Sequence, residues 1–289
     1  MNISRFFQKL FVGGVWYVGI RNHIDNMSKT FKIVEAPKGQ WIADPFLYEF
    51  NERHFLFVEQ YITEEKHACL GCYEIIDGEP TNYHVIIKNP YHMSYPCVFF
   101  YKGHHYIIPE SSANNTIDLY EAKDFPFLWE HKQILLEGDK FVDSTVYFKK
   151  DQPMLFSYKK ASDGWYIYLF QLNIENGKLL KLSEKKYHQN TGRPAGFLFS
   201  NGVNLYRPSQ DCSKKYGESI IINKIDWLSE GKFNEQSLSV IEYKDVDVPI
   251  KVQRIHTINR DSKYEVIDLF QEKLDLFHVV KIVKRKFNI

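Results

Sequence analysis

The 289-residue sequence predicts an all-β chain folded as one five-bladed β-propeller, its ring closed by an N-terminal strand. Three observations lead there. Aromatic residues make up 16% of the chain and fall in short runs bounded by Gly, Asn, Asp and Pro, as strands do. Five segments repeat one pattern: a polar or Pro-containing start, an apolar strand, a polar turn, and a second aromatic strand with a polar end. Each segment is followed by two more strand-like runs, and four strands per unit of about 50 residues make a propeller blade.

The first unit runs Asp44-Pro45-Phe46-Leu47-Tyr48 and returns through His54 to Glu59. The second opens at Tyr95-Pro96-Cys97 and returns to Glu110. The third opens at Asp143-Ser144-Thr145 and returns to Tyr158, and the fourth opens at Arg193-Pro194-Ala195 and returns to Pro208. The fifth, the least regular, opens at Arg254-Ile255-His256 and returns to Asp268. Pro45 to Pro96 is 51 positions, Pro96 to Ser144 is 48 and Ser144 to Pro194 is 50, whereas Pro194 to Arg254 is 60. The last spacing implies an insertion in the fourth unit. The run from Val15 to Ile20 precedes the first unit, so it completes the last blade and makes residues 1–289 a single domain.

Composition narrows the function. With 44% hydrophobic and 25% charged residues the chain reads as a soluble globular protein with a substantial core. A net charge of +1 argues against nucleic acid as a partner. Cys69 and Cys72 form a C-x-x-C without a second pair, inside a strand-like stretch, and read as ordinary strand cysteines. Phe6 to Ile20 is interrupted by Gln8 and Lys9 and falls short of a spanning helix. With no disulfide pattern and no cleavable signal, a cytoplasmic protein is expected. Arg5 and Lys9, with Lys281, Lys284, Arg285 and Lys286, suit peripheral contact with anionic lipid, or are simply solvated ends. No zinc-protease, P-loop, dinucleotide or nucleophile-elbow motif is present, so no metal or cofactor is expected.

In a propeller the innermost strand of each blade lines the central channel. If every repeat opens on one face, residues 44, 95, 143, 193 and 254 ring one mouth of the funnel. The second strands return Glu59, Glu110, Tyr158, Arg207 to Asp211 and Asp268 to the same rim. Carboxylates beside cations and aromatic walls are the ingredients of a sugar or phosphosugar site. Asp44, Asp143 and Glu110 are the candidate catalytic groups. Tyr95, Glu59, Arg193, Arg207, Gln210, Asp211, Arg254 and His256 are the candidate binding groups. The plainer reading is that polar residues at strand starts satisfy turn backbone.

Trp41-Ile42-Ala43-Asp44-Pro45-Phe46 resembles the first-blade signature of the five-bladed furanosidase superfamily. Ser94-Tyr95-Pro96, Pro109-Glu110-Ser111, Asp143-Ser144-Thr145, Gly192-Arg193-Pro194-Ala195-Gly196 and Tyr206-Arg207-Pro208-Ser209-Gln210-Asp211-Cys212 are similar to one branch. That branch is the propeller found at the N-terminus of plant glucosamine inositolphosphorylceramide transferases and standing alone in bacterial surface-polysaccharide clusters.

The resemblance to the hydrolases implies a base Asp in blade one, a tuning Asp in blade three and an acid Glu opening blade four. Asp44 and Asp143 match the first two. Arg193 stands at the third, and an arginine cannot donate a proton at neutral pH. Glu110 is the substitute acid if the reaction is hydrolysis. Arginine suits phosphate instead, and Arg193, Arg207 and Arg254 would lie on neighbouring blades. The leading expectation is therefore a glycosyltransferase of surface-glycan assembly. It would use a nucleotide- or lipid-linked donor and a glycan or lipid-linked acceptor, with Asp44 as base and Asp143 orienting it. The same arginines can instead pair with Asp44, Asp143 and Glu110. A furanosidase-type hydrolase and a non-catalytic glycan-binding propeller are the rival readings.

Overall fold

The computed structural model describes residues 12–24, 29–227 and 231–274, so the basic ends named above lie outside the described residues. Five antiparallel sheets follow one another around a ring. Blade one holds β3 (Trp41–Phe50), β4 (Arg53–Ile62), β5 (His67–Ile76) and β6 (Glu79–Ile87), paired in that order. Blade two holds β7 (Ser94–Tyr101), β8 (His104–Glu110), β9 (Thr116–Asp124) and β10 (Leu128–Glu137). Blade three holds β11 (Val142–Lys149), β12 (Gln152–Ala161), β13 (Gly164–Asn173) and β14 (Lys178–Tyr187).

Blade four departs from this regularity. Its inner strand is split into β15 (Arg193–Pro194) and β16 (Phe199–Ser200), both pairing with β17 (Leu205–Asp211), and β18 (Ser219–Trp227) and β19 (Phe233–Glu242) complete it. The insertion predicted for this unit includes the connector after β19. That connector carries Val246, Val248, Ile250 and Val252 onto the apolar cluster of blade five.

Blade five is built from both ends of the sequence. Its inner strands are β20 (Ile258–Arg260) and β21 (Tyr264–Leu274), and its outer strands are β1 (Val12–Asn22) and β2 (Lys32–Ile33). The β1–β21 ladder runs unbroken from Val12 opposite Leu274 to Asn22 opposite Tyr264. The predicted closure is thus made by two N-terminal strands rather than one.

The core lies between blades. Phe46, Phe57, Leu70, Val98, Ile107 and Leu155 belong to one apolar cluster that reaches from blade one to blade three, and each such side chain contributes about 1.5–3 kcal/mol. Cys69 and Cys72 are buried in β5 and free, which suits their reading as strand residues. Among the described residues no helix is long and apolar enough to cross a membrane.

One local device aims the inner strands. In β3, β7 and β11 the ladder slips between Ala43 and Phe46, Ser94 and Cys97, and Val142 and Thr145. Two residues then face one, a β-bulge, and its first member is left-handed: Asp44 at φ 46°, Tyr95 at 48° and Asp143 at 48°. Non-glycine residues adopt this conformation at a cost, about 1–3 kcal/mol when surroundings impose it. Its repetition in three blades turns three consecutive openings toward the axis.

Candidate active site

The floor of the funnel is aromatic. The Tyr95 ring crosses from blade two, and its hydroxyl bonds Thr145 Oγ1 at 2.8 Å and accepts the Gly196 N–H at 2.7 Å. Phe46 packs edge-on against both Tyr95 and Phe197. Tyr95 is wholly buried. It plugs the channel and is no rim residue, so its expected role in binding substrate is corrected.

Above this floor sits Asp44. Its Oδ1 accepts the Thr257 hydroxyl at 2.8 Å, and its Oδ2 accepts the Tyr95 N–H at 3.2 Å. His256 Nε2 lies 3.3 Å from Asp44 Oδ1, and His256 Nδ1 lies 2.5 Å from Asp268 Oδ2, a close charge contact without the alignment of a good hydrogen bond. Asp268 Oδ1 accepts the backbone N–H groups of His256 and Thr257, each at 2.9 Å. Burial raises the Asp44 carboxyl to about 6; His256 opposes the rise while Asp143 and Asp268 add to it. For His256 burial acts downward, but Asp268 and then Asp44 outweigh it and hold the imidazole above its usual value.

The second centre is Asp143. Arg193 grips it with two nitrogens, Nε on Oδ2 and Nη2 on Oδ1 at 3.1 Å, and the same Nη2 reaches Glu110 Oε2 at 3.1 Å. Gln210 Nε2 donates to Asp143 Oδ2 at 2.8 Å and to the Pro194 carbonyl at 2.8 Å. Burial pushes Asp143 up to about 7 against the pull of Arg193, with Glu110 adding to the rise. Arg193 therefore ties blades two, three and four together at the mouth. It lies in the regular ladder opposite Gln210 and lacks the bulge conformation of Asp44 and Asp143.

Three expected binding residues turn elsewhere. Arg207 is completely buried, with Nε and Nη2 on the two oxygens of Glu235 at 2.8 Å and Nη1 on the Gly192 carbonyl at 3.1 Å. Wholly buried, it is out of reach of an outside anion, and its partner comes from β19. The Arg254 guanidinium lies 3.5 Å from the Phe270 ring centre and donates to the Tyr216 carbonyl, bracing the rim instead of facing the funnel. Asp211 accepts the Ser213 N–H at 2.9 Å and shapes the turn after β17. Gln210 is wholly buried, so it orients Asp143. The three-arginine cradle expected for phosphate is not assembled.

Other residues complete the mouth. Trp16 of β1 stacks on His256 with ring centres 4.1 Å apart, and Tyr216 covers Arg193 with its ring centre 5.2 Å from the guanidinium. His92, on the connector before β7, lies 3.4 Å from Glu59. None belongs to the repeat pattern. Tyr216 follows the Gln210-Asp211-Cys212 motif closely enough for that motif to have pointed to it.

Asp44, His256 and Asp268 offer ligand atoms within 4.8 Å of one another, as do Glu49, His54 and Asp261. Both sets are engaged internally. In the second, His54 Nδ1 bonds Asp261 Oδ2 at 2.7 Å while Asp261 Oδ1 caps the Lys263 and Tyr264 N–H groups.

The family profile described as Glucosamine inositolphosphorylceramide transferase 1, N-terminal, matches residues 27–272. The chain belongs to this family. It is 29% identical over 234 residues to glucosamine inositolphosphorylceramide transferase 1 of Arabidopsis thaliana, covering 74% of this chain and 28% of that protein. It is 28% identical over 218 residues to the protein of the same name in Oryza sativa subsp. indica, covering 68% and 27%. The chain thus spans little more than a quarter of the relatives it matches. Among solved structures, a thermostable family-43 glycoside hydrolase superposes with a TM-score of 0.58 at 12% identity, over 82% of this chain and 91% of that one. A family 117 glycoside hydrolase from Zobellia galactanivorans gives 0.56 at 12%, over 93% and 92%. At such identities the likeness is one of fold, the five-bladed propeller.

Proposed function

We propose that this chain is a carbohydrate-active enzyme of glycan assembly whose funnel transfers a glycosyl group to a hydroxyl-bearing acceptor, a glycan or a lipid-linked sugar. One observation carries the reading. Asp44 is held at the floor by a hydroxyl, a backbone N–H and an imidazole, with its carboxyl raised to about 6, the setting of a general base rather than of a turn cap. The acceptor O–H gives its proton to Asp44 as its oxygen attacks the anomeric carbon. Asp143, fixed by Arg193 and Gln210, sets the charge beside it.

The carboxylates of Asp44, Glu110, Asp143 and Asp268 outweigh Arg193 and His256 in charge. Such a funnel suits the uncharged hydroxyls of a sugar better than a diphosphate. The relatives' name, a transferase, supports synthesis over degradation. Hydrolysis, with water as the acceptor, is the second reading and rests on the shared fold.

The test is Asp44→Asn against a panel of labelled glycan acceptors and sugar donors. Turnover is expected to fall by about 10²–10⁴-fold while oligosaccharide binding, read as a thermal shift, persists. Unchanged turnover removes Asp44 as the base. Binding without turnover in the wild type makes the propeller a glycan-binding module.

A further inference from the structure

With an arginine at the position that resembles the hydrolases' acid, the funnel has no obvious proton donor for a departing oxygen. Glu59 of β4 is a buried carboxyl beside Asp44 that the base reading leaves unused. It lies directly opposite Ala43 in the β3–β4 ladder, one residue from Asp44, and only 6% of its surface is exposed. Among the described residues its one ion-pairing contact is His92, whose Nε2 is 3.4 Å from Glu59 Oε1, and no aligned donor satisfies its carboxylate.

The tautomer of His92 is set by its other nitrogen. The Ala68 N–H donates to His92 Nδ1 at 3.2 Å, so Nδ1 is bare and the proton of the neutral ring sits on Nε2, toward Glu59. Burial lowers the His92 value, which keeps the ring neutral. Glu59 therefore faces a neutral N–H on one side and the carboxylates of Asp44, Glu110, Asp268 and Asp143 on the other. Burial first, and then those four charges, hold its carboxyl well above the usual range. Both influences favour the proton-bearing form.

We propose that Glu59, positioned by His92, is the general acid of this funnel, and that the donor is a glycoside whose leaving group is a sugar or alcohol oxygen. The inference rests on Asp44 acting as base. As the bond from the anomeric carbon to the leaving oxygen breaks, the Glu59 proton passes to that oxygen. The acceptor oxygen forms the new bond, and its proton passes to Asp44. The new Glu59 carboxylate accepts the His92 Nε2–H, and water at the mouth restores its proton while Asp44 releases the one it took. His92, with more than a third of its side chain exposed, stands on the path between Glu59 and solvent.

Two measurements test this separately from the Asp44 reading. The first needs no substrate: carboxyl-carbon NMR of glutamate-labelled protein from pH 4 to 9, with the Glu59 signal assigned by its loss in Glu59→Gln. A carboxyl that titrates above the ordinary glutamate value is expected. Titration near the ordinary glutamate value of about 4.3 overturns the proposal, whatever Asp44 does. The second compares glycosyl fluorides, whose leaving group needs no proton, with alkyl glycosides of the same sugars. Glu59→Gln is expected to lose about 10²–10⁴-fold on the glycosides and to stay near wild type on the fluorides. Equal losses on both remove Glu59 as the acid. His92→Gln checks the positioning role: the Glu59 titration shifts while fluoride turnover holds, and an unshifted titration removes His92 from the proposal.

Discussion

Two arginines of blade four, fourteen residues apart, do opposite things with the same chemistry. Arg207 closes on Glu235 within its own sheet, wholly out of water, and its remaining nitrogen holds the Gly192 carbonyl just before Arg193. Arg193 closes on Asp143 and Glu110 from two other blades, with about a fifth of its side chain open to the funnel. The first pair has lost all solvent, and without Arg207 the Glu235 carboxylate keeps only the Tyr187 hydroxyl and Lys185 at 3.9 Å. The second sits among groups already close to exchanging protons. A buried fork inside one sheet is a structural commitment; the same fork across three blades at a mouth is an adjustable one.

Substitutions at the two positions should separate them. Arg207→Met leaves Glu235 uncompensated in the core and is expected to cost about 3–5 kcal/mol in urea unfolding, with Arg207→Met/Glu235→Leu recovering most of it. Failure of the double variant to recover would mean that the Gly192 contact, not the ion pair, dominates. Arg193→Met is expected to cost only about 1 kcal/mol. Arg193 is about a fifth open to the funnel, so water can reach Asp143 when the arginine leaves, whereas Arg207 is wholly enclosed. A loss as large as that of Arg207→Met would erase the distinction.

The smallest effect is in pH. Asp44 at about 6 and Asp143 at about 7 hold protons in the folded chain where the unfolded chain has released them. The folded state therefore binds more protons over this window, and stability falls as pH rises from about 5 to about 7.5. A drop of about 2–4 °C in Tm is expected, flattened in Asp44→Asn and Asp143→Asn. Glu235, which burial also raises to about 7, adds to the same slope, so Arg207→Met/Glu235→Leu should flatten it as well.

The repeat made much of this legible. Asp44, Asp143 and Arg193 open their repeats and Glu110 closes one, and one bulge repeated in three blades carries the openings at Asp44 and Asp143 into space. Tyr95 shares it too, yet its long ring overshoots the rim and fills the axis, a matter of side-chain length that spacing does not express. Arg207 misled because its partner Glu235 sits on an outer strand, where the repeat has no signature. Glu59 was expected at the rim from the repeat, but its partner His92 is a connector residue whose position no periodicity predicts. Trp16 was visible only as part of a strand, since its neighbours come from the far end of the chain.

That last circumstance has a consequence in time. The β1–β21 ladder joins residues from opposite ends of the sequence, whereas each other blade pairs strands that are neighbours in the chain. Local hairpins form quickly, and a contact spanning nearly the whole chain must first meet the entropy of closing so large a loop. Four blades can therefore assemble while the fifth waits for its outer strands. During that wait β21 offers an unpaired edge, the kind that other chains capture. Asp44 also stays without the Thr257 and His256 that hold it, since both belong to the last blade. Asp44, the base proposed above, gains its full set of partners only when the ring shuts, so turnover at the axis would report on the final event of folding.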